Sequence, residues 1–183
     1  LSWGGGITRA RGRTLEGSMK AMWFDDAAPV AGNPPRGGAP VGMLAELPAV
    51  EMTAILLLRH WCDGPEARSR MVDDFTMVFG TRRADQELDG FATLMQIVLG
   101  GGPRPLMRHG VGCACFGGDE SAFAQMMAAV AAGEREDALI FALALMTPTA
   151  AFAAIAAADP VARGLLAFAR LLRQPVTSDF TRH

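Results

Sequence analysis

A chain of 183 residues with a low-complexity beginning has room for one domain of ordinary size and excludes two comfortable ones. Half of its residues are apolar, with 10 Phe, 3 Trp and no Tyr, so the interior must be built from Leu, Met, Val and Ala, which favours packed helices over sheet. A formal net charge of -2 exerts no long-range pull and argues against nucleic acid or acidic lipid as a partner.

From Leu1 to about Met43 the chain is rich in Gly and Pro and shows no sustained period of 3.6 or 2, which predicts a flexible leader. No apolar run follows Arg9, Arg11 and Arg13, so no secretory signal is expected. Residues ahead of Met19 or Met22 read as candidates for upstream translation or added sequence. The short apolar knot Met22-Trp23-Phe24-Asp25-Asp26 is either a sticky patch in this leader or a docking element.

A first helix is predicted from about Pro48 to Cys62, with Val50, Ala54, Leu57, Leu58 and Trp61 on one apolar face. Asp63-Gly64-Pro65-Glu66 stops it and starts a second, whose buried stripe is Met71, Phe75, Val78 and Phe79 and which Gly80 ends. A third, from about Arg83 to Leu99, buries Leu88, Phe91, Ala92, Met95, Val98 and Leu99 before Gly100-Gly101-Gly102-Pro103 terminates it.

The connection from Gly100 to Gly118 is long for a compact domain, and such loops are usually functional, held by something, or disordered. Asp119 is expected to cap a fourth helix with Phe123, Met126, Met127 and Val130 inward, ending at Gly133. Glu134, Glu136 and Asp137 open a fifth. Thr147-Pro148 and Asp159-Pro160 each read as an N-cap followed by a first-turn proline, predicting two further short helices. The uncharged run from Ala138 to Ala158 is long enough to span a bilayer, but Thr147-Pro148-Thr149 interrupts it and its second half is mostly Ala. Two buried helices, and no membrane span, are the expectation.

Chemistry concentrates in Arg108-His109-Gly110-Val111-Gly112-Cys113-Ala114-Cys115. Zinc prefers thiolate and imidazole in a tetrahedron, and Gly110 and Gly112 offer the backbone freedom to wrap an ion. His109, Cys113 and Cys115 supply three ligands, with Cys62 at the end of the first helix, or His60 beside it, as the fourth. A single Cys-x-Cys with one His lacks the paired Cys-x-x-Cys of zinc knuckles, and packing alone also accounts for small apolar thiols. Thiol redox work by Cys113 and Cys115 is a third reading, opposed by Asp119 and Glu120 nearby. No strand precedes the glycines and no Gly-Lys-Ser/Thr follows them, so a phosphate loop is not expected.

With Arg108 to Cys115 and Ala132-Gly133-Glu134-Arg135-Glu136-Asp137-Ala138 in view, the region from about Leu47 to Ala158 resembles small bacterial proteins of unknown function. The resemblance implies a bacterial cytoplasmic helical domain and carries over no activity and no catalytic residue. Three cysteines, an odd number, do not make a disulfide framework, which also points to the reducing cytoplasm.

The sequence therefore predicts an all-α fold, a single irregular bundle of about seven short helices with a Gly-rich loop near the middle. Residues 1–43 form the leader, 44–174 the domain and 175–183 a frayed tail. A non-enzymatic interaction or accessory role, through an unidentified protein partner or self-association, is the leading expectation. The alternative is a metal-binding (structural zinc) or thiol-dependent protein using His109, Cys113 and Cys115 with Cys62 or His60.

Overall fold

The computed structural model describes residues 37–173, with side chains through residue 170. The Met22 to Asp26 knot, most of the expected leader and the expected tail lie outside these residues. The described chain is helical apart from a small antiparallel ribbon. Strand β1 (Pro40–Met43) is followed by a short 3-10 turn (Leu44–Glu46) and helices α1 (Ala49–Cys62), α2 (Pro65–Phe79) and α3 (Thr81–Gly100). Strand β2 (Cys115–Gly117) leads directly into α4 (Gly118–Ala132), then α5 (Arg135–Leu145) and α6 (Pro148–Arg173).

Among the described residues six helices stand where about seven were expected, because Asp159-Pro160 does not separate two of them. Pro160 lies inside α6, where it leaves the Ala156 carbonyl without its usual donor. Ala156, Asp159 and Pro160 are all exposed, so water can take that carbonyl. The opposite face runs unbroken past the proline through Ala151, Ala154, Ile155, Ala158, Val161, Ala162, Leu165 and Phe168, all buried. Continuity of the buried stripe outweighs the local stop signal. The segment from Pro148 to Arg170 is long and apolar enough to cross a membrane by length and composition, and half of its apolar window is buried in the fold.

Helix α1 is the centre of the bundle, packed against α2, α4 and α6. It was expected to bury one face. Instead every residue from Thr53 to His60 is buried, because neighbours cover it on all sides. Phe75 and Phe79 of α2 meet Phe168 of α6 with ring centroids 4.8 and 5.4 Å apart. Trp61 stands edge-on to Phe91 of α3 at 5.6 Å. Gly133 ends α4 in the left-handed conformation (φ 81°), as the sequence implied.

The strands were not anticipated, and β1 occupies the end of the expected leader. Gly42 pairs with Phe116 and Met43 with Cys115, so the ribbon ties the segment before α1 to the segment before α4. Gly117 is required there: a Cβ would lie 2.7 Å from the Gly37 carbonyl oxygen.

One buried charge lies away from the loop. Asp74 of α2 is 3% exposed, and its Oδ1 has no hydrogen-bond partner among the described residues. Burial, reinforced by Asp73 and partly offset by Arg70, pushes its carboxyl up from 3.8 to about 6. A raised folded-state value means that folding favours the protonated form. The group is least costly in acid, and that advantage is lost as pH rises through about 6. Asp74→Asn, which mimics the protonated acid, is expected to stabilise the protein by about 2 kcal/mol at pH 8 and to change little at pH 4, read by urea denaturation. Equal effects at the two pH values would refute this.

Candidate metal centre

The loop between α3 and β2 has no helix or strand of its own, yet hydrogen bonds fix it along its length. At its start the Gly101 carbonyl accepts the Thr147 N–H at 2.9 Å, tying it to the beginning of α6. At its end Leu44 N–H donates to the Ala114 carbonyl at 2.8 Å. Neither Gly110 nor Gly112 adopts a positive φ. The expected glycine freedom is not what shapes this loop.

Two buried carboxylates at the start of α4 shape it instead. Asp119 makes a two-pronged ion pair with Arg104, at 2.6 and 2.7 Å, and accepts the Met107 N–H at 2.9 Å. Burial alone raises the Asp119 carboxyl, but these bonds outweigh it and hold it below its ordinary value. Asp119 thus binds the loop rather than capping α4 as expected, and Glu120 accepts the Gly117 N–H at 2.9 Å at that helix start.

Glu120 and Arg59 of α1 are both 0% exposed and form the second pair, Nε to Oε1 at 2.7 Å and Nη2 to Oε2 at 3.1 Å. The same guanidinium donates to the Cys113 and Cys115 carbonyls, each at 2.6 Å. The same carboxylate accepts the His109 N–H at 3.0 Å. One buried ion pair therefore fixes the backbone of all three chemically interesting residues. Each of its polar atoms is used, which is the condition under which a buried pair is tolerable.

On this frame the three side chains converge. Their ligand atoms all lie within 4.8 Å of one another. His109 Nδ1 is 3.3 Å from Cys113 Sγ and 3.2 Å from Cys115 Sγ, and the sulfurs are 2.8 Å apart. On the other edge of the ring, Nε2 is 2.9 Å from the Gly38 carbonyl oxygen. A carbonyl only accepts, so Nε2 carries the proton and the Nδ1 lone pair faces the thiols.

The cysteines are not equivalent. Burial raises the Cys113 thiol, but hydrogen bonding, first to the Cys115 side chain, outweighs it and leaves Cys113 below its ordinary value. Cys115 is pushed up by burial and then by Cys113. Both cysteines are half-buried residues.

Comparison with known proteins adds nothing to this geometry: no family model, curated protein or solved structure matches the chain. The reading of the site rests on its own chemistry.

Among the described residues, the group contains neither Cys62 nor His60. Cys62 ends α1, where its carbonyl accepts Arg108 Nη2 at 2.9 Å and burial pushes its thiol up. It contributes backbone to the site's surroundings rather than sulfur to the site. His60 is buried in α1, where burial, and then Arg70, lower it to about 4 and keep it neutral. The residues that sequence reasoning missed are Arg59, Glu120 and Gly38. A signal for Arg59 existed, since it follows the unbroken apolar run Ala54 to Leu58 and, with His60, stands between that run and Trp61. Full burial of such an arginine demands a carboxylate partner, but nothing local identifies Glu120.

Proposed function

We propose that His109, Cys113 and Cys115 bind a thiophilic divalent metal ion, zinc being the ion this donor set suits best. The observation that carries the reading is the Nε2 to Gly38 hydrogen bond, which leaves Nδ1 bare and turned toward two thiols. An imidazole oriented through its second nitrogen by a carbonyl is how protein metal ligands are commonly held. The Arg59–Glu120 pair supports the rest of the shell by fixing the backbone of each donor.

In a zinc tetrahedron two thiolate sulfurs lie about 3.8 Å apart, given zinc–sulfur bonds of about 2.3 Å. Side-chain rotation of the two cysteines supplies the extra separation while their carbonyls stay on Arg59. Sequence reasoning counted a fourth protein ligand and a structural role. Among the described residues three donors converge, and on this reading the fourth coordination position is open to water or an incoming ligand, the pattern of reactive rather than purely structural zinc. The full chain, loaded with zinc and freed of loose metal by gel filtration, is expected to carry about one zinc per chain. A ratio near zero in folded protein rules the reading out.

A second reading, action through a protein partner or a second copy of the chain, draws on different residues. Ile140 of α5 and Phe152 of α6 are 65% and 64% exposed, with Leu143 also exposed. Exposed apolar side chains serve as partner surfaces where they form a contiguous patch, and this reading takes these three to contribute to one. On this reading the chain associates with increasing concentration in analytical ultracentrifugation, and Ile140→Glu with Phe152→Glu abolishes that association. A wild-type chain that stays monomeric at high concentration excludes the second copy.

A further inference from the structure

Two sulfurs 2.8 Å apart with an imidazole nitrogen touching both form the arrangement needed for dithiol chemistry as well as for metal binding. They lie closer than two zinc-bound thiolates and farther than the roughly 2.05 Å of a disulfide. We propose that, without metal, Cys113 and Cys115 reduce small accessible disulfides and close to a Cys113–Cys115 disulfide, so that metal ion and disulfide are alternative occupants of one centre. The substrate class is a low-molecular-weight disulfide or an exposed peptide disulfide, because both cysteines are half-buried residues and a bulky folded substrate would have to reach past their neighbours.

The exchange balances in two steps. One cysteine passes its proton to His109 Nδ1 and attacks a substrate sulfur. The substrate disulfide breaks, its first thiolate leaves and takes that proton, and a mixed disulfide joins protein to substrate. The second cysteine then gives its proton to Nδ1 and attacks the protein sulfur of the mixed disulfide. The second substrate thiolate leaves and is protonated in turn. Two electrons pass from the protein dithiol to the substrate, which departs as two thiols.

His109 suits both transfers, since Nδ1 contacts each sulfur while the Gly38 carbonyl keeps the other nitrogen protonated. The frame suits them too: Arg59 grips both cysteine carbonyls, so the ring can close by side-chain motion alone. The exchange uses the same cysteines as the metal and does not depend on metal binding. A bound ion takes a lone pair from each sulfur, lowers its nucleophilicity and slows attack.

The test uses the full chain carrying Cys62→Ser, so that only the two cysteines of the centre remain, treated with oxidised glutathione and read by intact mass. The metal-free protein is expected to lose two protons' mass, retain no glutathione and release two glutathione thiols. Cys113→Ser and Cys115→Ser, each in that background, stop at a single retained glutathione. Zinc-loaded protein reacts at least about ten-fold more slowly. Failure of zinc to bind, with disulfide closure intact, defeats the metal reading and the alternation with it, and leaves the disulfide exchange standing. Two retained glutathiones, or no reaction in folded metal-free protein, overturns it.

Discussion

Glu120→Ala is expected to destabilise the domain by about 3–5 kcal/mol, enough to leave it largely unfolded, as urea or thermal denaturation will show. The substitution strands the Arg59 guanidinium, fully buried at the centre of the bundle, without its counter-charge. It also removes the acceptor for the His109 and Gly117 N–H groups. A lost partner costs the full desolvation of what remains, which is why breaking such a pair is far worse than never having had it. Arg59→Met combined with Glu120→Leu removes the stranded charge and is therefore expected to recover part of that stability, the rest staying lost because the His109 and Gly117 N–H groups and the Cys113 and Cys115 carbonyls still lack their partners. The recovered protein should still bind metal poorly, because no guanidinium holds the Cys113 and Cys115 carbonyls. A double variant as unstable as Glu120→Ala would show that the pair itself, rather than its imbalance, holds the fold. A stable double variant with undiminished metal affinity would remove Arg59 and Glu120 from the account of the site.

Replacing a sulfur ligand should have the other large effect. Cys113→Ser and Cys115→Ser are each expected to weaken zinc binding at least about 100-fold in competition with a chromophoric chelator, since second-shell losses alone cost 10- to 100-fold. The fold itself should survive, because both thiols lie at the half-exposed edge of the bundle. Ligand thiols must lose their protons to bind, so zinc affinity should rise with pH while they are protonated, and each variant should release one proton fewer on binding. Zinc should also raise the thermal midpoint of the parent chain and not that of the variants. Cys62→Ser belongs with the parent in all these measurements, its thiol lying outside the group. Weakening by Cys62→Ser comparable to that by Cys113→Ser would bring the first helix back into the site.

The helices were legible because their signals are local. Pro65 opened α2 and Gly80 and Gly133 closed α2 and α4 where the sequence placed them. Pro160 misled for the same reason: its stop signal is local, whereas the stripe from Ala151 to Phe168 is satisfied only by packing against other helices. The ribbon was illegible because Pro40–Met43 and Cys115–Gly117 are too short to show a period, and each is a strand only through the other.

The site was half legible. His109, Cys113 and Cys115 sit within one short loop, so their convergence could be read from spacing. Their support could not: Arg59 and Glu120 are far apart in sequence and near in space, and Gly38 contributes only a carbonyl. Asp119 and Glu120 had counted against thiolate chemistry as bare negative charge. In the fold each carries an arginine, and that objection falls away.

The proposed centre requires that sulfur and imidazole hold an ion together. X-ray absorption at the zinc edge of the loaded full chain is expected to show two sulfurs at about 2.3 Å, one imidazole nitrogen at about 2.0 Å and one further light atom. Loss of one sulfur shell in Cys113→Ser and of the imidazole signal in His109→Ala should follow. A shell of nitrogen and oxygen alone, unchanged by either substitution, would contradict it.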